Sequence, residues 1–272
     1  MPELPEVETT RRGLLPHLEG QHIVTAVVRN AALRWPVTRE LARQVSGRVV
    51  RSVERRGKYL LIDCGNGWII VHLGMSGSLQ VVPATTPAGK HDHFDLVLGS
   101  GLAVRLTDPR RFGAVLWEAT DPHQHPLLAQ LAPEPLSEEF DAAWLHRHTR
   151  GRTAAIKTMI MDSHIVVGVG NIYASESLFR AGIHPGLAAG RVSLLRCEKL
   201  VTAIRETLSA AIEAGGSSLR DYVGVEGRPG YFQQSYFVYG RDGEHCRTCG
   251  TPVRSLRQGQ RSTYYCPTCQ RR

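Results

Sequence analysis

Along residues 3–18 apolar side chains recur at helical spacing, with Leu4, Val7 and Leu14 among them, and Pro2, Glu3 and Glu6 stand where a helix would begin. This predicts a leading helix over Glu3 to Leu18. From Gly20 to about Trp117 the pattern shifts to short β-branched runs. These are Ile23 to Val28, Val49 to Val53, Tyr59 to Cys64, Trp68 to Leu73, Phe94 to Leu98, Ala103 to Leu106 and Ala114 to Trp117, with turn signals such as Asn66-Gly67 between them. Runs that short predict an antiparallel sandwich or barrel. Beyond Pro122, Pro126, Pro133 and Pro135 the period becomes helical, with helices expected over Phe140 to His148, Arg152 to Asp162, Ile172 to Ala181, Val192 to Ala214 and Ser217 to Tyr222. The change of period marks a domain boundary, and the chain closes on strands that carry four cysteines.

At 272 residues the chain is long enough for two domains with real cores. It shows no charged-then-apolar leader, and its apolar runs are too short to span a bilayer, so a cytoplasmic protein without membrane contact is expected. The net charge of +8 points to a polyanionic partner. Only Lys58, Lys90, Lys157 and Lys199 are lysines, so 33 − 4 = 29 of the basic residues are arginine. Arginine suits bidentate phosphate contacts, although codon bias yields the same excess.

Cys246-x-x-Cys249 and Cys266-x-x-Cys269 have the spacing of a zinc ribbon, in which two knuckles joined by a hairpin bring four thiolates round one structural Zn(2+). Two disulfides are the alternative, disfavoured where thiols are kept reduced. Cys64 and Cys197 lack metal-like neighbours and read as small core residues.

Removal of Met1 would leave Pro2 as a terminal secondary amine beside Glu3 and Glu6. Condensed with an aldehyde, such an amine forms an iminium that has no N–H proton to lose and stays a charged electron sink. The plainer reading is that Pro2 merely opens a helix. The turn before Asn171, with Gly168 and Gly170, could cradle a phosphate; a dinucleotide site is the weaker rival, since no strand-turn-helix unit precedes it. Met75 between Gly74 and Gly77, and Phe112 after Arg110-Arg111, read either as wedges that replace an extruded base or as edge-of-core packing. Lys58 and Lys157 read as site residues or as solvated charges.

Taken together, Pro2-Glu3-Leu4-Pro5-Glu6-Val7-Glu8-Thr9, Arg56-Gly57-Lys58-Tyr59-Leu60, His72-Leu73-Gly74-Met75-Ser76-Gly77, Asp108 to Gly113, Gly168 to Tyr173 and Arg261-Ser262-Thr263-Tyr264-Tyr265-Cys266 resemble the bacterial formamidopyrimidine-DNA glycosylases. The motifs run end to end in the order of that family. The resemblance implies an α+β multidomain fold: an N-terminal β-sandwich with its leading helix over 1–132, a helical helix-two-turn-helix domain over 133–235 and a β-hairpin zinc finger over 236–272. It implies a bifunctional DNA glycosylase and abasic-site lyase for oxidised purines, acting as a monomer on double-stranded DNA held between two lobes. Pro2 would be the nucleophile and Glu3 a proton donor, with Lys58 and Arg261 completing the catalytic set. Lys58 and Lys157 would meet phosphates or the lesion, Asn171 and Arg261 would grip the backbone around the extruded nucleotide, His91 would touch a phosphate, and Met75, Arg110 and Phe112 would fill the space of the extruded nucleotide. Glu6 would support the site, and the stretch from Ser217 to Tyr239 would cover the extruded base.

Two other readings compete. An endonuclease VIII-like enzyme for oxidised pyrimidines shares the terminal proline and the finger, but usually begins Pro-Glu-Gly-Pro. A catalytically silent zinc-finger protein that binds damaged DNA accounts for every feature except a free amine beside Glu3.

Overall fold

A computed structural model describes residues 2–38, 40–217, 225 and 231–272, and divides them between two compact units. The first comprises residues 1–129 with 212–233; the second comprises 130–211 with 234–272.

The first unit opens with helix α1 (Leu4–Leu18), followed by β1 (Ile23–Val28), the short helix α2 (Leu41–Val45) and strands β2 (Ser52–Arg56), β3 (Tyr59–Asp63), β4 (Trp68–His72), β5 (Ser78–Pro83), β6 (Asp92–Leu98), β7 (Leu102–Thr107) and β8 (Ala114–Glu118). Two four-stranded antiparallel sheets result, ordered β1-β6-β7-β5 and β2-β3-β4-β8. One buried cluster draws on both sheets and on α1, with Leu14, Leu18, Leu60, Ile62, Ile69, Val71, Leu96, Val104 and Leu106 in it. This is the expected sandwich with its leading helix. Strand β5 is not among the strands the pattern predicts: Ser78 and Gln80 interrupt its apolar run and Pro83 ends it. Both are tolerated on an edge strand, which β5 is.

The second unit carries helices α3 (Ala142–Thr149), α4 (Ile156–Ile160), α5 (Asn171–Arg180) and most of α6 (Leu194–Glu213), then the hairpin of β9 (Arg254–Gln258) and β10 (Arg261–Tyr265). Helix α4 is shorter than the periodicity predicts. Ala155 pairs with Ala188 in an isolated bridge and Ile156 N–H bonds to Leu187 O at 2.8 Å, so the segment before α4 is committed to extended pairing.

The compact units also divide the chain differently from three consecutive domains. Residues 212–233 belong with the sandwich: Ser217 N–H donates to Glu6 Oε1 at 2.8 Å, and Val225 sits in the first unit's core with its carbonyl accepting from Val81 N–H. The hairpin belongs with the helices, to which the Lys157 ammonium bonds it. Apart from Ser217, the helix expected over Ser217 to Tyr222 lies outside the described residues. Among those residues no helix is long and apolar enough to cross a membrane.

Candidate functional site

At the head of α1, Glu3 is the N-cap in extended backbone, which leaves the first helical N–H groups in need of acceptors. Glu3 and Glu6 answer that need as a reciprocal capping box, with Glu3 N–H donating to Glu6 Oε2 at 2.8 Å. The other oxygen of Glu6 holds Ser217 N–H, so one buried carboxylate clamps the helix start to the segment that follows α6. Gly216 at φ 79° lies against this side chain, where an added Cβ would sit 3.1 Å from Glu6 Oε1. Pro2 is buried at the head of this clamped turn. One helical turn on, Glu8 receives Arg11 at 2.8 Å, Arg12 at 2.9 Å and Arg55 of β2 at 3.2 Å. Burial alone would raise its pKa, but the bonds and charges of the three guanidiniums prevail and hold it at about 2. The helix that presents Pro2 and Glu3 is thereby locked to the sheet.

Lys58 sits in the two-residue turn between β2 and β3, where Gly57 takes φ 57° as the tight hairpin requires. Its charge bears on His72, at the end of β4, whose ring lies 4.8 Å from that of Tyr59. Burial first, then Lys58 and Arg34, push the His72 pKa down to about 4 against a smaller opposing pull from Asp108. A neutral ring agrees with its Nδ1 accepting Gly74 N–H at 3.2 Å.

Two loops of this unit carry Met75 and Phe112, the side chains expected to act as wedges. Met75 is 38% exposed and Phe112 43%, high values for large apolar side chains, and the Arg110 guanidinium lies 4.9 Å from the centre of the Phe112 ring. The loops touch backbone to backbone. Gly74 has φ 63°, and a Cβ there would come within 2.4 Å of the Phe112 carbonyl carbon. His91 lies where the chain enters β6, its carbonyl accepting Asp108 N–H at 2.9 Å. Met75, His91, Arg110 and Phe112 thus belong to connected loops. Asp108 links them, a role that the sequence reading did not assign.

In the second unit Lys157 is only 2% exposed, despite its charge. Its Nζ donates to Asn171 Oδ1 at 2.6 Å and to Thr263 Oγ1 at 2.7 Å, joining α4 and α5 to β10. Asn171 Nδ2 in turn donates to Ser262 O at 3.0 Å and to Tyr239 Oη at 3.3 Å. Lys157, Asn171 and exposed Arg261 line one cavity of about 340 Å³ together with Gln258, Gly259 and Gln260 of the hairpin turn. The sequence reading also missed Glu176 on α5. Its buried carboxylate accepts the three consecutive N–H groups of Phe237, Val238 and Tyr239 at 2.8–3.0 Å, which fixes Tyr239 beside Asn171.

The ligand atoms of Cys246, Cys249, Cys266 and Cys269 all lie within 4.8 Å of one another, with Cys249 Sγ to Cys266 Sγ at 3.5 Å and Cys246 Sγ to Cys269 Sγ at 3.9 Å. Four thiolates about 2.3 Å from one zinc ion would stand about 3.8 Å apart, so the cluster fits a single tetrahedral ion. Two disulfides would need sulfur pairs near 2 Å.

Residues 1–115 match the formamidopyrimidine-DNA glycosylase N-terminal domain, residues 131–223 the formamidopyrimidine-DNA glycosylase H2TH domain, and residues 243–272 the zinc finger found in FPG and IleRS. A formamidopyrimidine-DNA glycosylase of Cupriavidus pinatubonensis is 60% identical, covering 99% of this chain and 100% of its own length. A mutant Fpg of Lactococcus lactis, solved in complex with Fapy-dG-containing DNA, superposes with a TM-score of 0.93 at 33% identity over 100% of both chains. The Lactococcus lactis Fpg in complex with abasic-site DNA gives 0.92 at 33% identity, covering 99% of this chain and 100% of that one.

Proposed function

The chain belongs to the formamidopyrimidine-DNA glycosylase family, and from that premise we propose that it excises 8-oxoguanine and formamidopyrimidines from duplex DNA and then cuts the strand as an abasic-site lyase, a step of base excision repair. The observation that carries this reading is the clamped N-terminal turn, which sets Pro2 beside the buried Glu3 carboxyl at the start of a helix locked to the sheet.

Once Met1 is removed, the Pro2 nitrogen is a secondary amine whose lone pair attacks C1′ of the damaged nucleoside. The base departs with the electron pair of the glycosidic bond. Glu3 delivers a proton to the sugar ring oxygen as the ring opens, leaving an iminium between Pro2 and C1′. That iminium accepts the electrons released when a C2′ proton is lost, so the 3′ phosphate is expelled by β-elimination. A second, δ-elimination expels the 5′ phosphate. Lys58, His91, Lys157, Asn171 and Arg261 are assigned to the DNA backbone and the lesion. Met75, Arg110 and Phe112 are assigned to the space left by the extruded nucleotide, Arg110 facing the orphaned base. Cys246, Cys249, Cys266 and Cys269 would hold a zinc ion with all four thiolates, and the ion's part would be structural, stapling the hairpin that carries Arg261.

Borohydride reduction during reaction with an 8-oxoguanine duplex should trap a covalent protein–DNA adduct, and Pro2→Gly or retention of Met1 should abolish it. Absence of any adduct with an abasic duplex would favour a silent damaged-DNA binder. A clear preference for thymine glycol over 8-oxoguanine would favour the pyrimidine-specific relatives.

A further inference from the structure

In the first unit, three loops that carry four proposed DNA contacts converge on one residue. Asp108 is 0% exposed and lies at the end of β7, just before the turn that bears Arg110 and Phe112. Its Oδ1 accepts the Ser76 hydroxyl at 2.8 Å and Arg110 N–H at 3.2 Å, and its Oδ2 accepts Gly113 N–H at 2.8 Å. Its backbone is held as well: Asp108 N–H donates to His91 O at 2.9 Å, and His93 Nε2 donates to Asp108 O at 2.9 Å. Ser76 follows Met75 directly, and its Oγ also accepts Arg110 N–H at 3.3 Å. Between its two bonds to the turn, Arg111 takes φ 57°, a left-handed conformation that costs a non-glycine residue energy and persists only when its surroundings impose it.

We propose that Asp108 is a positioning residue for base extrusion, its buried carboxylate holding the Met75 loop and the Arg110–Phe112 turn in one register so that they enter the DNA as a unit. This rests on the glycosylase reading of the site. The reasoning is geometric: both carboxylate oxygens are spent on donors in the two wedge-bearing loops, Ser76 on one side and Arg110 and Gly113 on the other. No other described side chain is seen to bond to both loops in this way except Ser76, itself a ligand of Asp108. Without the carboxylate, Met75 and Phe112 would still be exposed, but each loop would find its own position. Replacement of a lesion pair needs both wedges in place at the same time.

The conservative variant is Asp108→Asn, which keeps size and shape but turns one acceptor into a donor and so strands a buried N–H or hydroxyl. With a buried donor left unsatisfied, single-turnover excision of 8-oxoguanine opposite cytosine should fall roughly 10- to 100-fold. Borohydride trapping on an abasic duplex requires no base to be unpaired and should fall less than about threefold by the same reasoning. Ser76→Ala should produce a weaker form of the same split, and the losses in the double variant should be less than additive, because the two side chains share the bond that joins the loops. The thermal midpoint of the apo protein is the folding control. Equal loss of both activities, or of neither, would overturn the positioning role, as would fully additive losses in the double variant. A wild-type protein that forms no adduct on either duplex would instead overturn the glycosylase reading on which the proposal stands.

Discussion

The first unit holds its candidate residues with carboxylates that accept backbone N–H groups: Glu6 takes those of Glu3 and Ser217, and Asp108 takes those of Arg110 and Gly113. The second unit also has one such carboxylate, Glu176, but it fastens its hairpin differently, with the buried ammonium of Lys157 donating across to it and four thiols closing its base. The difference follows from what each unit can bury. Two four-stranded sheets enclose a large apolar cluster, and loops on such a scaffold need only local fastening. The hairpin of β9 and β10 has only a small cluster beneath it, around Phe179, Val238 and Val253, and a two-stranded ribbon is marginal by itself. It depends on metal and on one buried charge.

The largest effect expected is from breaking the metal site. Cys266→Ser, or exhaustive chelation, should weaken binding to a lesion duplex by at least about a hundredfold, since structural zinc supplies folding free energy to the segment it closes. The sandwich should stay folded, which near-UV circular dichroism and limited proteolysis would report. Loss of the first unit's protease resistance on chelation would show that the two fastenings are not independent.

Next in size is Lys157→Met, which keeps an apolar stem but removes the charge from between Asn171 and Thr263. Hydrogen bonds to charged groups contribute about 1.5–3 kcal/mol each, so the second unit should lose roughly 3 kcal/mol against denaturant, with the first unit unmoved. Hydrogen exchange across β9 and β10 is the direct measurement. If stability is unchanged while DNA affinity collapses, Lys157 acts chiefly as a DNA contact and the bridge to the hairpin is incidental.

How far these fastenings could be read from the sequence depends on how local they are. The cysteine knuckles were legible because each chelating pair is three residues apart; Glu3 and Glu6 have the same separation, but they read as carboxylates beside the amine and not as the capping box they form. The wedge loops were legible as glycine-flanked exceptions to the strand pattern. Asp108 as a hub was not, since its partner Ser76 lies 32 positions away and nothing in either segment announces the pairing. The burial of Lys157 was equally hidden, because Thr263 is 106 positions distant and a lysine read alone is ordinarily a surface charge. The same holds for residues 212–233, whose return to the first unit rests on contacts with Glu6 and Val81 that no periodicity encodes.

The last effect appears only in acid, and it concerns the first unit, which is fastened by carboxylates and apolar burial and not by metal. His72 has its pKa lowered from 6.5 to about 4 by burial and by the neighbouring Lys58 and Arg34. Its folded pKa is depressed, so the unfolded chain takes up the proton first. The stability that neutral His72 allows is present in full above pH 6.5 and is lost as pH falls from 6.5 to about 4. A difference of that size corresponds to at most about 3 kcal/mol, reached near pH 4. Glu8, held at about 2 against an ordinary 4.5, adds a second loss that begins only below pH 4.5. His72→Gln, which still offers Gly74 N–H an acceptor, should therefore flatten the upper window alone when urea midpoints are followed in metal-replete buffer. If the wild type and His72→Gln lose stability in parallel between pH 6.5 and 4.5, the acid sensitivity arises elsewhere, and the neutral His72 ring is not what the sandwich has to protect.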